Sequence, residues 1–193
     1  MSCALVVGLF VGGHGSRFGG MAKGNLRHPS GVRLIEHLVG VARSALPDAP
    51  VVLVGERTEY ADLGLQSLVD SPASIGPLGG LRALVAWAAG SGNHGAVALA
   101  CDMPFVTDEL LRRLAEESPD ALALGPRVSG RWEPLFARYS TRALPAIDAA
   151  IEAREHSLQA LFSRLGESAS SLPILDAELG ALRDWDSPED LAS

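Results

Sequence analysis

Between Gly12 and Gly24 the chain reads Gly-Gly-His-Gly-Ser-Arg-Phe-Gly-Gly-Met-Ala-Lys-Gly. Gly12, Gly13 and Gly15 let successive backbone N–H groups turn inward, beside Ser16, and form an anion-binding concavity. Arg17 can fork onto phosphate oxygens, and Lys23, six residues on, supplies a mobile point charge. Two cations and a nest of amides suit a triphosphate. The same residues would also make a flexible loop with solvated charges, but the position directly after a buried strand favours anion binding. Neither familiar phosphate loop is present. A dinucleotide motif starting at Gly13 needs Gly or Ala where Phe18 stands, and a P-loop lysine does not lie between Ala22 and Gly24.

Acidic residues stand at other strand ends. Asp102 follows the apolar run Ala96–Cys101 and precedes Met103-Pro104. A carboxylate there faces a ligand at the mouth of the sheet and can hold a Mg²⁺ that bridges phosphates, or it can simply begin a turn. Asp70, before Ser71-Pro72, repeats the arrangement. Ile75-Gly76-Pro77-Leu78-Gly79-Gly80 reads as a second tight loop, able to bring backbone close to a flat ligand. Near the C-terminus Ser187 and Pro188 fit a helix start; Asp184 and Asp186 before them are solvated or reach a metal. The five histidines show no paired spacing, and no Ser-His-Asp or Cys-His arrangement can be read. Arg131, Arg138 and Arg142 read as surface charge, with contact to a substrate phosphate as the alternative.

These residues need elements to position them. Cys3–Val11 is a nearly continuous apolar run, as expected of a strand buried on both faces. Val51–Val54, Leu65–Val69 and Ala96–Cys101 are further short strands, and Ala121–Leu124 is a fifth. The pattern then turns at Ser129-Gly130 into Trp132–Tyr139 as a hairpin. Apolar residues recur at helical spacing over Arg33–Leu46, and Leu81–Ala89 reads as a helix closed by Gly90. Thr107 is placed to cap another, and Thr141–Glu152 and Ser157–Leu165 complete the set. Strands alternating with helices predict an α/β domain, a mostly parallel sheet covered on both sides with one antiparallel hairpin. Ligands in such sheets bind beyond the carboxyl ends of the strands, which here means beyond Val11, Asp70 and Cys101.

With 193 residues, and no internal repeat or linker, the chain is expected to form a single domain over residues 1–193. Its 16 Lys+Arg against 23 Asp+Glu give a net charge of −7, which argues against a nucleic-acid binder held by counterion release. No apolar stretch approaches the about 18 residues of a membrane span. The first strand lacks the basic flank of a secretory signal, with no Lys or Arg before Arg17. Cys3 and Cys101, far apart and without a CxxC, fit two buried thiols in a reducing compartment, so a cytoplasmic protein is expected.

Together, Gly12-Gly13-x-Gly15-x-Arg17 with Lys23 resembles the signature of nucleotidyltransferases that join a nucleoside triphosphate to a phosphorylated acceptor. Further pieces narrow the resemblance to the molybdenum cofactor guanylyltransferases, which attach GMP to molybdopterin. They are Asp70 with Gly76-Pro77-Leu78-Gly79-Gly80, Cys101-Asp102-Met103-Pro104-Phe105, Glu133-Pro134-Leu135-Phe136-Ala137 and Asp186-Ser187-Pro188-Glu189-Asp190-Leu191. They stand in the family's order and span nearly the whole chain.

The resemblance implies a three-layer Rossmann-like nucleotidyltransferase fold, GTP as donor, molybdopterin as acceptor, Mg²⁺ as cofactor and pyrophosphate as product. Phe10, Val11 and Gly12 would line the guanosine and phosphate site, with Gly13, Gly15, Ser16 and Arg17 around the phosphates. Lys23 would contact the α-phosphate, Asp70 would help hold the nucleoside, and Gly76, Pro77, Leu78 and Gly79 would pack against the guanine. Asp102 would bind Mg²⁺, and Arg17, Lys23 and Asp102 would be the catalytic set; Asp186 is a further candidate metal contact by its own position rather than by the resemblance. Three departures stand out. Ala22 replaces the Asp usual before the loop lysine, Val54-Gly55-Glu56 replaces a polar nucleotide contact, and Asp184, Asp186 and Ser187 stand where Asn and Thr are usual. CTP as donor, another phosphorylated acceptor, or a non-catalytic nucleotide-binding module partnering molybdoenzyme assembly proteins remain the alternatives.

Overall fold

The structure, a computed structural model, describes residues 4–12 and 22–185. Gly13, Gly15, Ser16, Arg17, Cys3, Asp186 and the helix expected at Ser187-Pro188 lie outside the described residues. The strands are β1 (Leu5–Phe10), β2 (Val51–Val54), β3 (Ser67–Leu68), β4 (Gly95–Ala100), β5 (Ala123–Gly125), β6 (Arg127–Val128), β7 (Arg131–Trp132), β8 (Phe136–Ser140) and β9 (Ala169–Ser171). The α-helices are α1 (Leu34–Ala45), α2 (Pro77–Gly90), α3 (Asp108–Glu116), α4 (Leu144–Glu152) and α5 (Leu158–Leu165). Among the described residues no helix is long and apolar enough to cross a membrane.

Seven strands form one sheet in the order β3-β2-β1-β4-β8-β5-β9. Every neighbouring pair is parallel except those of β8, which runs antiparallel to both β4 and β5. All six residues of β1 are buried because the strand is covered on both faces. Val7 and Leu9 join α1 and α3 in one apolar layer, while Val6 and Phe10 join α2, α4 and α5 in the other. Gly8 lets α2 close in: a Cβ there would lie 2.5 Å from a Leu84 methyl. The fold is the expected α/β sandwich. From β1 the chain proceeds outward to β2 and β3, then returns to β4 on the other side of β1. The β1/β4 boundary is thus a topological switch point, and the crevice beyond its carboxyl ends is the place for a ligand.

Four expectations need correction. Residues 77–80 are not loop but the first turn of α2, because Pro77 occupies the first helical position after Gly76 at φ +77°. The hairpin is split: β6 and β7 pair as a separate short ribbon through Ser129 and Gly130, both at positive φ. Pro134, which has no N–H to give a ladder, then separates that ribbon from β8, which enters the main sheet. β3 covers only Ser67–Leu68 at the sheet edge, leaving Val69 exposed. Strand β9 and two six- and seven-residue 3₁₀ helices, Thr58–Leu63 and Asp176–Leu182, have no counterpart in the sequence reading.

Candidate active site

A cleft of about 1,220 Å³ opens beyond the carboxyl ends of β1, β2, β3 and β4 and is lined by Phe10, Val11, Gly12, Lys23, Asp70 and Asp102, among others. An ion pair lines it. Lys23 Nζ donates to Asp102 Oδ2 at 2.8 Å, bringing together the two residues singled out from strand-end position and from the Gly-rich segment. Both side chains are 22% exposed, so the pair faces the cleft without being sealed from it.

Backbone contacts fix the carboxylate. Cys101 N–H donates to the Phe10 carbonyl (3.2 Å), and Trp185 N–H donates to the Asp102 carbonyl (2.8 Å), so the C-terminal segment is pinned to the end of β4. The Cys101 thiol is pushed up to about 12 by burial and by the Asp102 charge, which keeps it protonated and inert. Lys23 opens a 3₁₀ turn, Lys23–Asn25, whose Gly24 packs between Tyr60 and Ile35 of α1.

The β2–β3 side forms the next wall. Gly55, at φ +103°, backs onto Gly12 so closely that a Cβ would stand 3.2 Å from the Gly12 nitrogen. A side chain there would be strained by the positive φ and would press on the Gly12 backbone. Asp70 lies two residues past the end of β3, and burial raises its carboxyl above the ordinary aspartate range. Its Oδ1 lies 3.1 Å from where a Gly80 Cβ would be. Gly76, Pro77 and Gly80 line the cleft at the start of α2. Leu78 does not: it is 0% exposed, turned into the α2 core by the early helix start. Gly79 also turns away, with its α-carbon against the Pro72 carbonyl, 2.4 Å from a would-be Cβ. Arg57, which the sequence reading passed over, lines the cleft with its guanidinium 3.7 Å from Glu59. Its only sequence signal is a cation three residues past a strand end.

Across the cleft stand Glu133, Pro134 and Leu135, the 156–159 segment ahead of and within α5, and Asp184. Glu133 is held above the ordinary glutamate range by burial first and by the Asp184 charge second, with Arg131 opposing. The Gln159 carboxamide donates to the Trp132 carbonyl (2.7 Å) and accepts from its N–H (3.2 Å), which ties α5 to β7. Arg138 is neither surface charge nor a cleft contact: it is 4% exposed and donates to the Ala115 carbonyl (2.8 Å) under α3. Arg142 reaches the Asp120 carbonyl at 2.7 Å, away from the cleft.

Among the described residues no three His, Cys, Asp or Glu side chains cluster as a metal cage. A Mg²⁺ that takes most of its ligands from substrate phosphates and water needs only one or two carboxylates, and Asp102 in the cleft lining fits that donor set.

The chain matches the MobA-like NTP transferase domain model over residues 8–169. It is 36% identical over 177 residues to a molybdenum cofactor guanylyltransferase of Pseudomonas fluorescens, covering 90% of this chain and 86% of that one. A protein of the same name from Rhodobacter capsulatus is 31% identical over 188 residues, with 95% and 91% covered. The structure of molybdopterin-guanine dinucleotide biosynthesis protein A from Archaeoglobus fulgidus superposes with a TM-score of 0.74 at 26% identity, covering 96% of this chain and 94% of that one. A nucleotidyl transferase from Methanothermobacter shares the fold, with a TM-score of 0.74 at 18% identity over 98% and 94% of the two chains.

Proposed function

The chain belongs to the family of the MobA-like NTP transferase domain, and from that premise we propose that it transfers GMP from GTP to the phosphate of molybdopterin, releasing pyrophosphate. The observation that carries this reading is the Lys23–Asp102 ion pair at the β1/β4 switch point. A triphosphate and a divalent cation are the ligands that would divide such a pair, lysine going to phosphate oxygens and aspartate to the cation.

In the proposed reaction an oxygen of the acceptor phosphate attacks the α-phosphorus of GTP in line. The bond from that phosphorus to the oxygen bridging to the β-phosphorus breaks, and pyrophosphate leaves with the electron pair. The acceptor phosphate is already ionised at neutral pH, so no side chain has to remove a proton. Catalysis therefore reduces to positioning and charge neutralisation. Lys23 stabilises the charge that builds on the α-phosphoryl oxygens, and Arg57 adds positive potential from the neighbouring wall. Val11 and Gly12 bring backbone against the phosphates, and Arg17 with Gly13, Gly15 and Ser16 is assigned the rest of that contact. Phe10, Asp70 and the Gly76–Pro77 start of α2 hold the nucleoside. Asp102 would hold Mg²⁺, and the cation would supply Lewis-acid neutralisation of the phosphate charge. The wall of Glu133, Pro134 and Leu135 is left for the acceptor. A cytoplasmic location, where molybdoenzyme assembly proteins could receive the product, completes the proposal.

Pyrophosphate release is the test, measured with GTP, CTP or ATP and Mg²⁺, with and without molybdopterin. Release that requires both GTP and molybdopterin is expected. Release with CTP alone would overturn the guanylyl assignment, and no release with any nucleotide would overturn the enzyme.

A further inference from the structure

Lys23, a cation of the cleft lining, sits at the start of a very short helix. The first N–H groups of any helix lack partners within it, and a side-chain oxygen at the preceding residue ordinarily accepts from one of them. For the turn Lys23–Asn25 that preceding residue is Ala22, which has no acceptor to offer. The Gly24 N–H instead donates to the Tyr60 hydroxyl at 3.0 Å, in buried surroundings and across 36 positions of sequence. The fit is close: a Cβ on Gly24 would lie 2.7 Å from that hydroxyl and 3.1 Å from the Ile35 Cβ.

Tyr60 is itself held firmly. It is buried in the 3₁₀ helix Thr58–Leu63, and Asp62 of that helix makes a two-pronged ion pair with Arg33 at the start of α1. Arg33 in turn bonds Glu36 within α1. The Lys23 turn is therefore seated on a braced platform made of α1 and the β2–β3 connection. Burial pushes the Tyr60 phenol up to about 12, so the hydroxyl stays neutral at any pH where the enzyme works.

We propose that Tyr60 is a positioning residue for the transfer reaction: its hydroxyl caps the Lys23–Asn25 turn from a distance and so aims the Lys23 ammonium at the phosphate bound in the cleft. This rests on the guanylyl-transfer reading above for the identity of the reaction, though the cap itself does not. Arg57 immediately precedes the same 3₁₀ helix and lines the cleft, so one connection serves both the cation wall and the aim of Lys23.

Tyr60→Phe keeps the ring and removes only the cap. It should lower kcat about tenfold, the scale expected when a buried N–H loses its partner next to a catalytic group, while the KM for GTP stays within about twofold. In a Lys23→Ala background the same change should cost less than about twofold, because the residue being aimed is gone. Ala22→Ser, which places an acceptor at the ordinary capping position, should restore most of the lost kcat to Tyr60→Phe. Amide hydrogen exchange of the peptide spanning Gly24 should quicken about tenfold in Tyr60→Phe and slow again with Ala22→Ser, with or without turnover. Wild-type kcat in Tyr60→Phe, or an equal loss in the Lys23→Ala background, would overturn the inference. So would a loss that Ala22→Ser fails to reverse, or unchanged exchange at Gly24. If the wild-type chain itself releases no pyrophosphate, the guanylyl-transfer reading fails alone, and the exchange measurement still decides the cap.

Discussion

Replacing Asp102 with asparagine removes the charge that Lys23 holds at 2.8 Å. Solvent reaches both side chains, so the lysine left behind is not stranded in a dry interior and the fold should survive. Turnover should fall by a factor on the order of 10²–10³, the loss typical when one preorganised electrostatic group is deleted, with the circular-dichroism spectrum unchanged. Glu133 offers a test by pH. Its carboxyl is raised by burial and by Asp184, so the folded chain holds that proton more tightly than the unfolded chain does. The resulting stability is fully present below the unfolded glutamate value and is lost as pH rises through the folded one. Glu133→Gln should therefore raise the melting midpoint at pH 7 and give no advantage near pH 4. At this scale the sequence was informative where chemistry alone names a residue: Lys23 and Asp102 were legible from a cation in a glycine-rich segment and a carboxylate after an apolar run. Tyr60 was not, because an isolated aromatic between Glu59 and Ala61 carries no sign that its hydroxyl meets Gly24.

Helix α2 shows how an element can be misread by its glycines. A missing side chain marks a turn and a close approach equally well, and Gly79-Gly80 is the second case. Gly79→Ala would drive a methyl to 2.4 Å from the Pro72 carbonyl, so it should cost about 1–3 kcal/mol in urea unfolding. The displaced start of α2 should also raise the KM for GTP. Gly40 is the counter-case: it lies mid-way along α1, exposed, with nothing within 4 Å of a would-be Cβ. Gly40→Ala should therefore stabilise by about 0.5–1 kcal/mol in the same experiment and leave turnover alone. The buried strands β1, β2 and β4 and the amphipathic helix α1 were readable because runs of apolar residues announce the strands and their recurrence at helical spacing announces the helix. The 3₁₀ helix Thr58–Leu63 is too short to show a period, and the Ala-Ser-Ser of β9 has none of the branched or aromatic residues that mark a strand.

The stretch from Pro173 to Trp185 folds back onto the helix layer and the end of β4. Arg113 of α3 donates to both Glu178 oxygens (2.6 and 2.7 Å) and to the Pro173 carbonyl (2.9 Å), binding that segment to the helix layer. Trp185, 3% exposed, then packs edge-on against Phe105 and donates its backbone N–H to Asp102. Trp185→Ala should cost about 3–5 kcal/mol of stability, measured by urea midpoint. It should also reduce kcat by more than the unfolded fraction explains, since the same residue anchors the end of β4. Nothing in the residue's local sequence indicates that role, which exists only once the chain has folded back on itself.

The Lys23–Asp102 pair has one further consequence for how the site fills. A triphosphate that draws Lys23 aside takes a counter-charge from Asp102, and a cation that engages Asp102 takes one from Lys23. Whichever ligand arrives first must separate the pair, and the second finds it already separated. Linkage makes the benefit identical in either order. Under the proposed function GTP and Mg²⁺ are thus heterotropic partners, and their cooperativity is written into a single salt bridge of the protein rather than only into the affinity of a metal for phosphate.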